Sequence, residues 1–331
     1  MISLVMTIYN EEKNIHNTLI SIALQTRMPD EFIIVDGGST DGTANVIAGF
    51  IAKNPLGRRI KFVVEKRASS IASNAPIAVG RNVAIELAVG DIIAVIDGGC
   101  TAEPQWLERI VEPIESGAAD MVAGGYVIIP RSAVERLFAI QQTPIAKDGN
   151  FSPSSRSVAF TKGIWAKVGG YPAGAKYGED TAFNFLVLGT GARLVSRNDA
   201  RVVWEPDGTD SLAGVAALLG KYAFGDGLRG IGAKKYVRKM LYYSVAVFMG
   251  IASLLVDGFG VVVATSSFVV LVVLLFIRYA VQCHSRAAGC GFQASASMTF
   301  AYVAFSIFTD IVRIAAFAAG ISRHRVGAGR S

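Results

Sequence analysis

The sequence predicts an α/β protein with a mostly parallel central sheet, followed by a membrane part made of helices. Three observations predict it. Short apolar runs rich in β-branched residues recur at 2–8, 31–35 and 92–96, and such runs read as strands buried on both faces. Each ends in acids or glycines and is followed by a helical pattern, as in a parallel sheet with polar loops along one edge. Finally, everything after about Met240 is close to continuously apolar, in a chain that is 52% apolar overall.

The stretch 91–100, DIIAVIDGGC, anchors the reading. Gly90 and Asp91 start the strand, Gly98 and Gly99 stop it, and Asp97 is left at its carboxyl end. Ligands bind outside the carboxyl ends of strands in open α/β sheets. Taken alone, Asp97 also reads as a helix-capping acid. The first strand is followed by Tyr9, Asn10, Glu11 and Glu12, and the second by Asp36-Gly37-Gly38-Ser39-Thr40-Asp41-Gly42-Thr43. The helix at 12–26 turns Ile15, Leu19, Ile22 and Ala23 to one face, and that at 43–53 turns Val46, Ile47 and Phe50 inward.

A fourth strand is expected at 60–64, then a polar loop 65–76 with Ser69, Ser70 and Ser73, then a helix 78–88. Arg81 and Asn82 lie near the start of that helix. Arg81 reads as an anion contact or as an exposed helical residue, and its place before the Asp97 strand favours the first. Further helices are expected at 103–115, 133–142 and 162–168, with strands at 121–130, 158–161, 193–196 and 201–205. The strand at 121–130 opens a more antiparallel half, and its Gly124-Gly125 pair suggests a bulge or a close ligand approach. The loop 148–157 is too rich in Ser and Pro for regular structure. Tyr177-Gly178-Glu179-Asp180 opens a helix at 181–188. Two acids at a helix start also simply complement its dipole.

Charge divides the chain. Net charge is +6 overall, −3 over residues 1–226 and +9 over residues 227–331. Nucleic-acid binders carry the basic patch on the folded domain, so nucleic acid is not an expected partner. Here the excess flanks apolar spans, which suits an anionic membrane surface. Two helical stretches, 212–224 and 233–241, are expected on either side of Gly225-Asp226-Gly227. The second mixes Lys234, Lys235, Arg238 and Lys239 with Tyr236, Val237 and Met240, the make-up of an interfacial helix. Apolar runs follow at 241–256, 258–281 and 292–319. A span needs about 20 apolar residues, so the first is short and the third serves from about residue 296. Asp310 and Arg313 share one helical face inside the third run, where a charge is costly and usually paired. Lysine and arginine counts leave two orientations open, according to whether the first run spans or only dips in. Cys100, Cys283 and Cys290 show neither metal spacing nor a disulfide framework. No cleavable signal precedes the first strand, so the α/β domain is expected in the cytoplasm.

The residues quoted so far resemble those of family-2 glycosyltransferases of the GT-A, Rossmann-like fold, in particular the membrane-bound bacterial enzymes of exopolysaccharide and succinoglycan-type assembly. The resemblance rests on Thr7-Ile8-Tyr9-Asn10-Glu11, Val35-Asp36-Gly37-Gly38-Ser39-Thr40-Asp41-Gly42-Thr43 and Gly80-Arg81-Asn82. Gly169-Gly170-Tyr171-Pro172 and Gly178-Glu179-Asp180 match the acceptor half. It covers about residues 1–240, the spans beyond matching only in general layout, and implies a GT-A domain over 1–210; composition adds interfacial helices over 211–240 and a membrane domain over 241–331. It also implies inverting transfer of a sugar from a nucleotide sugar, with a UDP-sugar the expected donor and a lipid-linked polyprenyl glycan the expected acceptor. Thr7, Tyr9, Asn10, Glu11, Asp36, Ser39, Arg81, Asn82, Asp97, Gly98 and Gly99 would line the nucleotide sugar. Asp180, with Glu179, would be catalytic, and Asp97 would hold a divalent cation, Mg²⁺ or Mn²⁺.

Asp97-Gly98-Gly99-Cys100 stands where the family has Asp-x-Asp, so the second acid is missing and the cation is expected to be weakly held, with another acid helping or the diphosphate supplying most ligands. The Gln-x-x-Arg-Trp motif of processive synthases is absent too. Lys221-Tyr222-Ala223-Phe224-Gly225-Asp226-Gly227 occupies that region, which favours single additions. A polyprenyl-phosphate sugar synthase and an inactive nucleotide-sugar-binding scaffold are the alternatives.

Overall fold

The computed structural model describes residues 1–68, 76–144, 151–173, 177–255 and 259–328. Ser69, Ser70 and Ser73 therefore lie outside the described residues, as do 148–150 of the Ser/Pro-rich loop. The chain divides into two compact units, one of Met1–Ile129 with Pro144–Asp207 and one of Pro130–Thr143 with Gly208–Ser331.

The first unit is built on one eight-stranded sheet. Its strands are β1 (Ile2–Ile8), β2 (Glu31–Asp36), β3 (Ile60–Val64), β4 (Ile92–Val95), β5 (Cys100–Ala102), β6 (Met121–Val127), β7 (Val158–Thr161) and β8 (Leu194–Trp204). They lie in the order β3-β2-β1-β4-β7-β6-β8-β5. The first four are parallel to one another, while β7 runs antiparallel to both β4 and β6. The expected change of character after residue 120 is thus present. Helices α1 (Ile15–Ala23), α2 (Thr43–Lys53), α3 (Pro76–Leu87) and α4 (Trp106–Glu115) belong to this unit. So do α6 (Lys162–Lys167) and α7 (Glu179–Gly189), whereas α5 (Ala133–Gln142) belongs to the other. Leu4, Val5, Phe32, Ile33, Ile34, Ile93 and Ala94 are fully buried, as continuous apolar runs in a covered sheet should be.

The differences from the sequence reading have local causes. The first helix starts at Ile15 rather than 12, because Glu11 and Glu12 are held by the neighbouring loop. Glu12 N donates to Asp41 Oδ2 at 3.2 Å, and Gly42 N donates to Glu12 Oε2 at 3.0 Å. Strand β5 was not expected, since its three residues are too few to show a period. The expected strands 193–196 and 201–205 are one strand, β8. Its polar centre reads as a turn but is carried as an irregularity, where the register against β6 shifts between Gly124 and Gly125. The bulge expected at that pair is there. A Cβ on Gly125 would lie 2.9 Å from Asn198 O, so the strands approach too closely for a side chain.

The second unit contains α5 with α8 (Leu212–Arg229), α9 (Ala233–Leu255), α10 (Phe259–Gly289) and α11 (Ala296–Ala328). Gly225-Asp226-Gly227 was expected to separate two helices, but α8 runs straight through it. The glycine serves packing instead. A Cβ on Gly227 would sit 2.2 Å from Phe317 O, and one on Gly320 would sit 2.4 Å from Phe224 O. The two backbones of α8 and α11 touch there. The basic segment 233–241 and the first apolar run are likewise one uninterrupted helix, α9. Three helices, Ala233–Leu255, Val262–Gly289 and Ala296–Arg323, are long and apolar enough to cross a membrane. Asp310 is paired, as expected of a charge in such a helix, but its partner is Lys239 of α9 rather than Arg313. Tyr279 donates to Asp310 Oδ2 at 2.5 Å, and Tyr243 does so at 3.3 Å.

Gly320→Leu should force α8 and α11 apart. Overpacking of this kind costs about 1–3 kcal/mol, so the detergent-solubilised variant should unfold at a lower temperature than wild type, measured by differential scanning fluorimetry.

Candidate active site

Strands β2, β1 and β4 are adjacent and parallel, so the loops that follow them gather at one edge of the sheet. The β2 loop is tied to the β1 loop by hydrogen bonds. Asp36, buried, accepts at Oδ1 from Ser39 N at 2.9 Å and from Ser39 Oγ at 2.7 Å. The same hydroxyl accepts from Asn10 N at 2.9 Å. Asn10 adopts φ 55°, alone among the described non-glycine residues in the left-handed region. Asparagine tolerates that region because its short side chain bonds locally, and here Oδ1 accepts from Thr40 N at 2.8 Å. Tyr9, between these contacts and the strand, keeps 44% of its surface exposed. Thr7 is half-buried, its Cγ2 2.9 Å from where a Cβ on Gly80 would be, so α3 packs closely on β1 at Gly80.

Arg81 is the centre of the arrangement. It is buried on α3, and it bridges two carboxylates that are distant in sequence. Nη2 donates to Asp97 Oδ1 at 2.8 Å and Nη1 to Glu179 Oε1 at 2.7 Å. Its guanidinium also lies over the Tyr171 ring, 5.4 Å from the centroid. Burial alone would lower the Arg81 pKa, but Asp97 and Glu179 outweigh it and the pKa is raised. Burial raises the Glu179 carboxyl above the ordinary range; Arg81 opposes this and Asp180 adds to it. Of the acids opening α7, then, Glu179 is turned inward to Arg81. Asp180 is half-exposed and accepts from Thr181 N at 2.7 Å.

Asn82, expected among donor contacts, is engaged elsewhere. Its Oδ1 accepts from Tyr171 N at 2.8 Å and Trp165 Nε1 at 3.1 Å, and its Nδ2 donates to Tyr171 O at 2.8 Å. It braces the Gly169-Gly170-Tyr171 turn.

The Asp97 turn shows how the missing second acid is accommodated. Gly98 is required by space, since a Cβ there would lie 2.7 Å from Ile8 Cγ2. At Gly99 a Cβ would make only ordinary contacts, 3.7 Å from Glu11 Oε2 and 3.9 Å from Glu205 O. The carboxylate of Glu11 thus stands beside the position where the family motif carries its own. Glu11 is pushed up to about 7, chiefly by burial. Asn14 opposes the shift through a hydrogen bond, and the charges of Asp207, Asp97 and Asp41 add to it. A carboxyl held up by burial and nearby negative charge is relieved by a cation. Asp97 Oδ2 has no hydrogen-bond partner among the described residues. No cluster of three or more His, Cys, Asp or Glu ligands occurs among those residues. Glu11 and Asp97 therefore suit a divalent ion only if most of its ligands come from elsewhere, which Mg²⁺ accepts readily.

Sequence reading missed Asp207 and Arg156. Arg156 stacks on Trp204 at 3.6 Å from the ring centroid and on Tyr126 at 5.1 Å. Asp207 follows the last strand in a Glu-Pro-Asp-Gly run whose turn chemistry was the available signal. Arg156 lies in a loop with no periodicity to mark it.

Residues 3–155 match the sequence model of Glycosyl transferase family 2. The chain carries a family-2 glycosyltransferase domain. Glycosyltransferase AglE of Haloferax volcanii is 32% identical over 126 residues, covering 37% of this chain and 38% of that protein. Succinoglycan biosynthesis protein ExoA of Rhizobium meliloti is 28% identical over 190 residues, covering 53% of each. The matches thus span about two fifths to half the length of these relatives. Among solved structures, a mannosyltransferase from Pyrobaculum calidifontis in complex with GDP-Man and Mn²⁺ superposes with a TM-score of 0.58 at 18% identity, over 94% of this chain and 86% of that one. That likeness shows the shared GT-A fold.

Arg81→Met would leave Glu179 buried without its cation and release Asp97. Removing one partner of a buried ion pair costs about 3–5 kcal/mol, towards the lower end here because Asp97 is 34% exposed. The variant should unfold at distinctly lower denaturant. Arg81→Lys should recover only part of the loss, because one ammonium cannot reproduce the planar fork. Equilibrium denaturation of both variants checks this.

Proposed function

We propose that the chain is a membrane-associated inverting glycosyltransferase that moves a single sugar from a nucleotide sugar to a lipid-linked glycan. The observation that carries this reading is the Arg81 bridge. It ties the strand-end acid Asp97 to the start of α7, where Asp180 stands half-exposed. One side of the bridge belongs to the donor and the other to the acceptor.

Tyr9 offers an exposed ring to the base, next to the Asn10 backbone that the β2 loop holds through Ser39. Asp180 accepts the proton of the acceptor hydroxyl as its oxygen bonds to the anomeric carbon, and the bond from that carbon to the diphosphate breaks. The nucleoside diphosphate leaves with the electron pair. General-base assistance of this kind is worth about 10²–10⁴-fold. A divalent cation, when bound, neutralises charge on the departing diphosphate, and Glu11 and Asp97 are the residues that would hold it. The backbone at Gly98 and Gly99 lets the diphosphate approach closely. The mannosyltransferase solved with GDP-Man and Mn²⁺ supports nucleotide-sugar and divalent-ion use.

The lipid-linked acceptor is supported by the three span-length helices. It is supported also by a relative, 29% identical over 129 residues, named glucosyl-dolichyl phosphate glucuronosyltransferase. Under this reading the domain works at the cytoplasmic face of the membrane. In detergent, transfer from a UDP-sugar should require a polyprenyl-linked glycan, and mass spectrometry of the lipid product reads the result. Equal transfer to a soluble sugar would overturn the lipid acceptor, and a lipid monophosphate sugar as product would favour a polyprenyl-phosphate sugar synthase.

Asp180→Asn should lower transfer by about 10²–10⁴-fold while UDP binding stays within error. More than a tenth of wild-type activity would leave Asp180 a helix-capping acid. In calorimetry, Mn²⁺ should bind the free protein weakly and the UDP-loaded protein more tightly. Glu11→Gln and Asp97→Ala should each weaken the second event, and undiminished turnover in EDTA would remove the cation from the scheme.

A further inference from the structure

The second unit gathers more cations than acids; Asp226 and Asp310 lie within electrostatic reach of Lys235, and Asp310 within that of Arg313. Arg286 of α10 and Arg313 of α11 converge on one residue, Gln141 of α5. Arg286 Nη1 donates to the Gln141 carbonyl oxygen, and Arg313 Nη2 lies 3.4 Å from Gln141 Oε1. Gln141 is held in turn by Thr309, its Nε2 donating to Thr309 Oγ1 at 2.7 Å. Neither arginine forms an ion pair among the described residues. Asp310, also on α11, attracts Arg313 through space but is itself ion-paired with Lys239 and hydrogen-bonded by Tyr279. Arg286 Nε is buried with no hydrogen-bond partner. Lys235 of α9 is within electrostatic reach of Arg313, as is Arg286.

Two guanidinium groups among apolar helices repel each other and lack the solvation they would have in water. A planar fork of donors fits a phosphate with paired hydrogen bonds, and a phosphate group brings the charge that is missing. Arg286 lies in the last turn of α10, three residues before the end of the helix at Gly289. A cation at a span's end lies at headgroup depth. We propose that Arg286 and Arg313, brought together on Gln141 without a carboxylate, form a binding site for the phosphate of a lipid headgroup. This rests on the lipid-acceptor reading and names the residues that would hold the acceptor's phosphate.

The test uses the full chain in detergent, with binding read by native mass spectrometry and calorimetry. The probes are a polyprenyl diphosphate, phosphatidylglycerol and inorganic diphosphate. The polyprenyl diphosphate should bind wild type more tightly than inorganic diphosphate does. Arg286→Gln and Arg313→Gln should each weaken it by about 10- to 100-fold, the loss of one charge-assisted contact, with UDP binding unchanged. Should either variant misfold, Arg286→Lys and Arg313→Lys keep the charge and should lose less affinity than that range. Lipid binding that survives both glutamine variants overturns the site and leaves the acceptor reading standing. Inorganic diphosphate binding as tightly as the lipid overturns it too, since the site would then take free phosphate. If phosphatidylglycerol binds as tightly as the polyprenyl lipid and is lost equally, the site stands and the acceptor reading fails. A wild-type chain that binds no phosphate lipid overturns both.

Discussion

A buried guanidinium must be compensated, and Arg81 is compensated by acids 16 and 98 residues away in sequence. That requirement orders the first unit. The turn after β4 and the beginning of α7 share a buried apolar cluster that includes Val95, Tyr171, Phe183 and Val187, and each brings its carboxylate to the same cation. The next residue on α3, Asn82, holds the backbone of Tyr171, and the Tyr171 ring lies under the guanidinium. Tyr171 stacks on Phe183 of α7 with ring centroids 4.1 Å apart. Two consecutive side chains of one helix therefore set the position of the second half of the site, one by charge and one by hydrogen bonding. An ion pair alone would leave α7 free to pivot, and the stacked rings remove that freedom.

Charge distribution explains why each acid behaves differently. Glu179 and Asp180 are neighbours in sequence, yet one points into the protein and the other does not. Glu179 is matched by Arg81, and Asp97 is matched by it as well. Glu11 forms no ion pair among the described residues and is pushed up by burial and by the charges of Asp207, Asp97 and Asp41, which is the physical ground for expecting a cation from solution.

The strands of the parallel half were legible because buried strands in a covered sheet are predominantly apolar, as 2–8, 31–35 and 92–96 are. The candidate acids were legible in the sequence because Asp36 and Asp97 stand at strand ends and Asp180 in the first turn of a helix, while Arg81 lies mid-helix on α3. Their partners were not. Nothing in the spacing of Arg81 and Glu179 marks them as a pair, because a contact across 98 residues leaves no periodic trace. The tie from Asn82 to Tyr171, across 89 residues, leaves no periodic trace either. In the second unit the pattern failed where packing overrode propensity: Gly225-Asp226-Gly227 has the composition of a break, but a neighbouring backbone needed the space. Helix α5 has the appearance of part of the α/β domain by order along the chain, and only its contacts place it with α10 and α11.

Because α9 has no break between its basic turns and its apolar ones, it behaves as a rod. At 1.5 Å per residue its 23 residues extend about 34 Å, slightly more than the hydrocarbon thickness of a typical bilayer, about 30 Å. A rod cannot adjust one end independently of the other. In a thinner bilayer, tilting or sinking of the far end would carry Lys235 and Lys239 with it, and with Lys239 the buried Asp310 pair. Lipid composition would then reach the Lys239–Asp310 pair mechanically, through the helix itself.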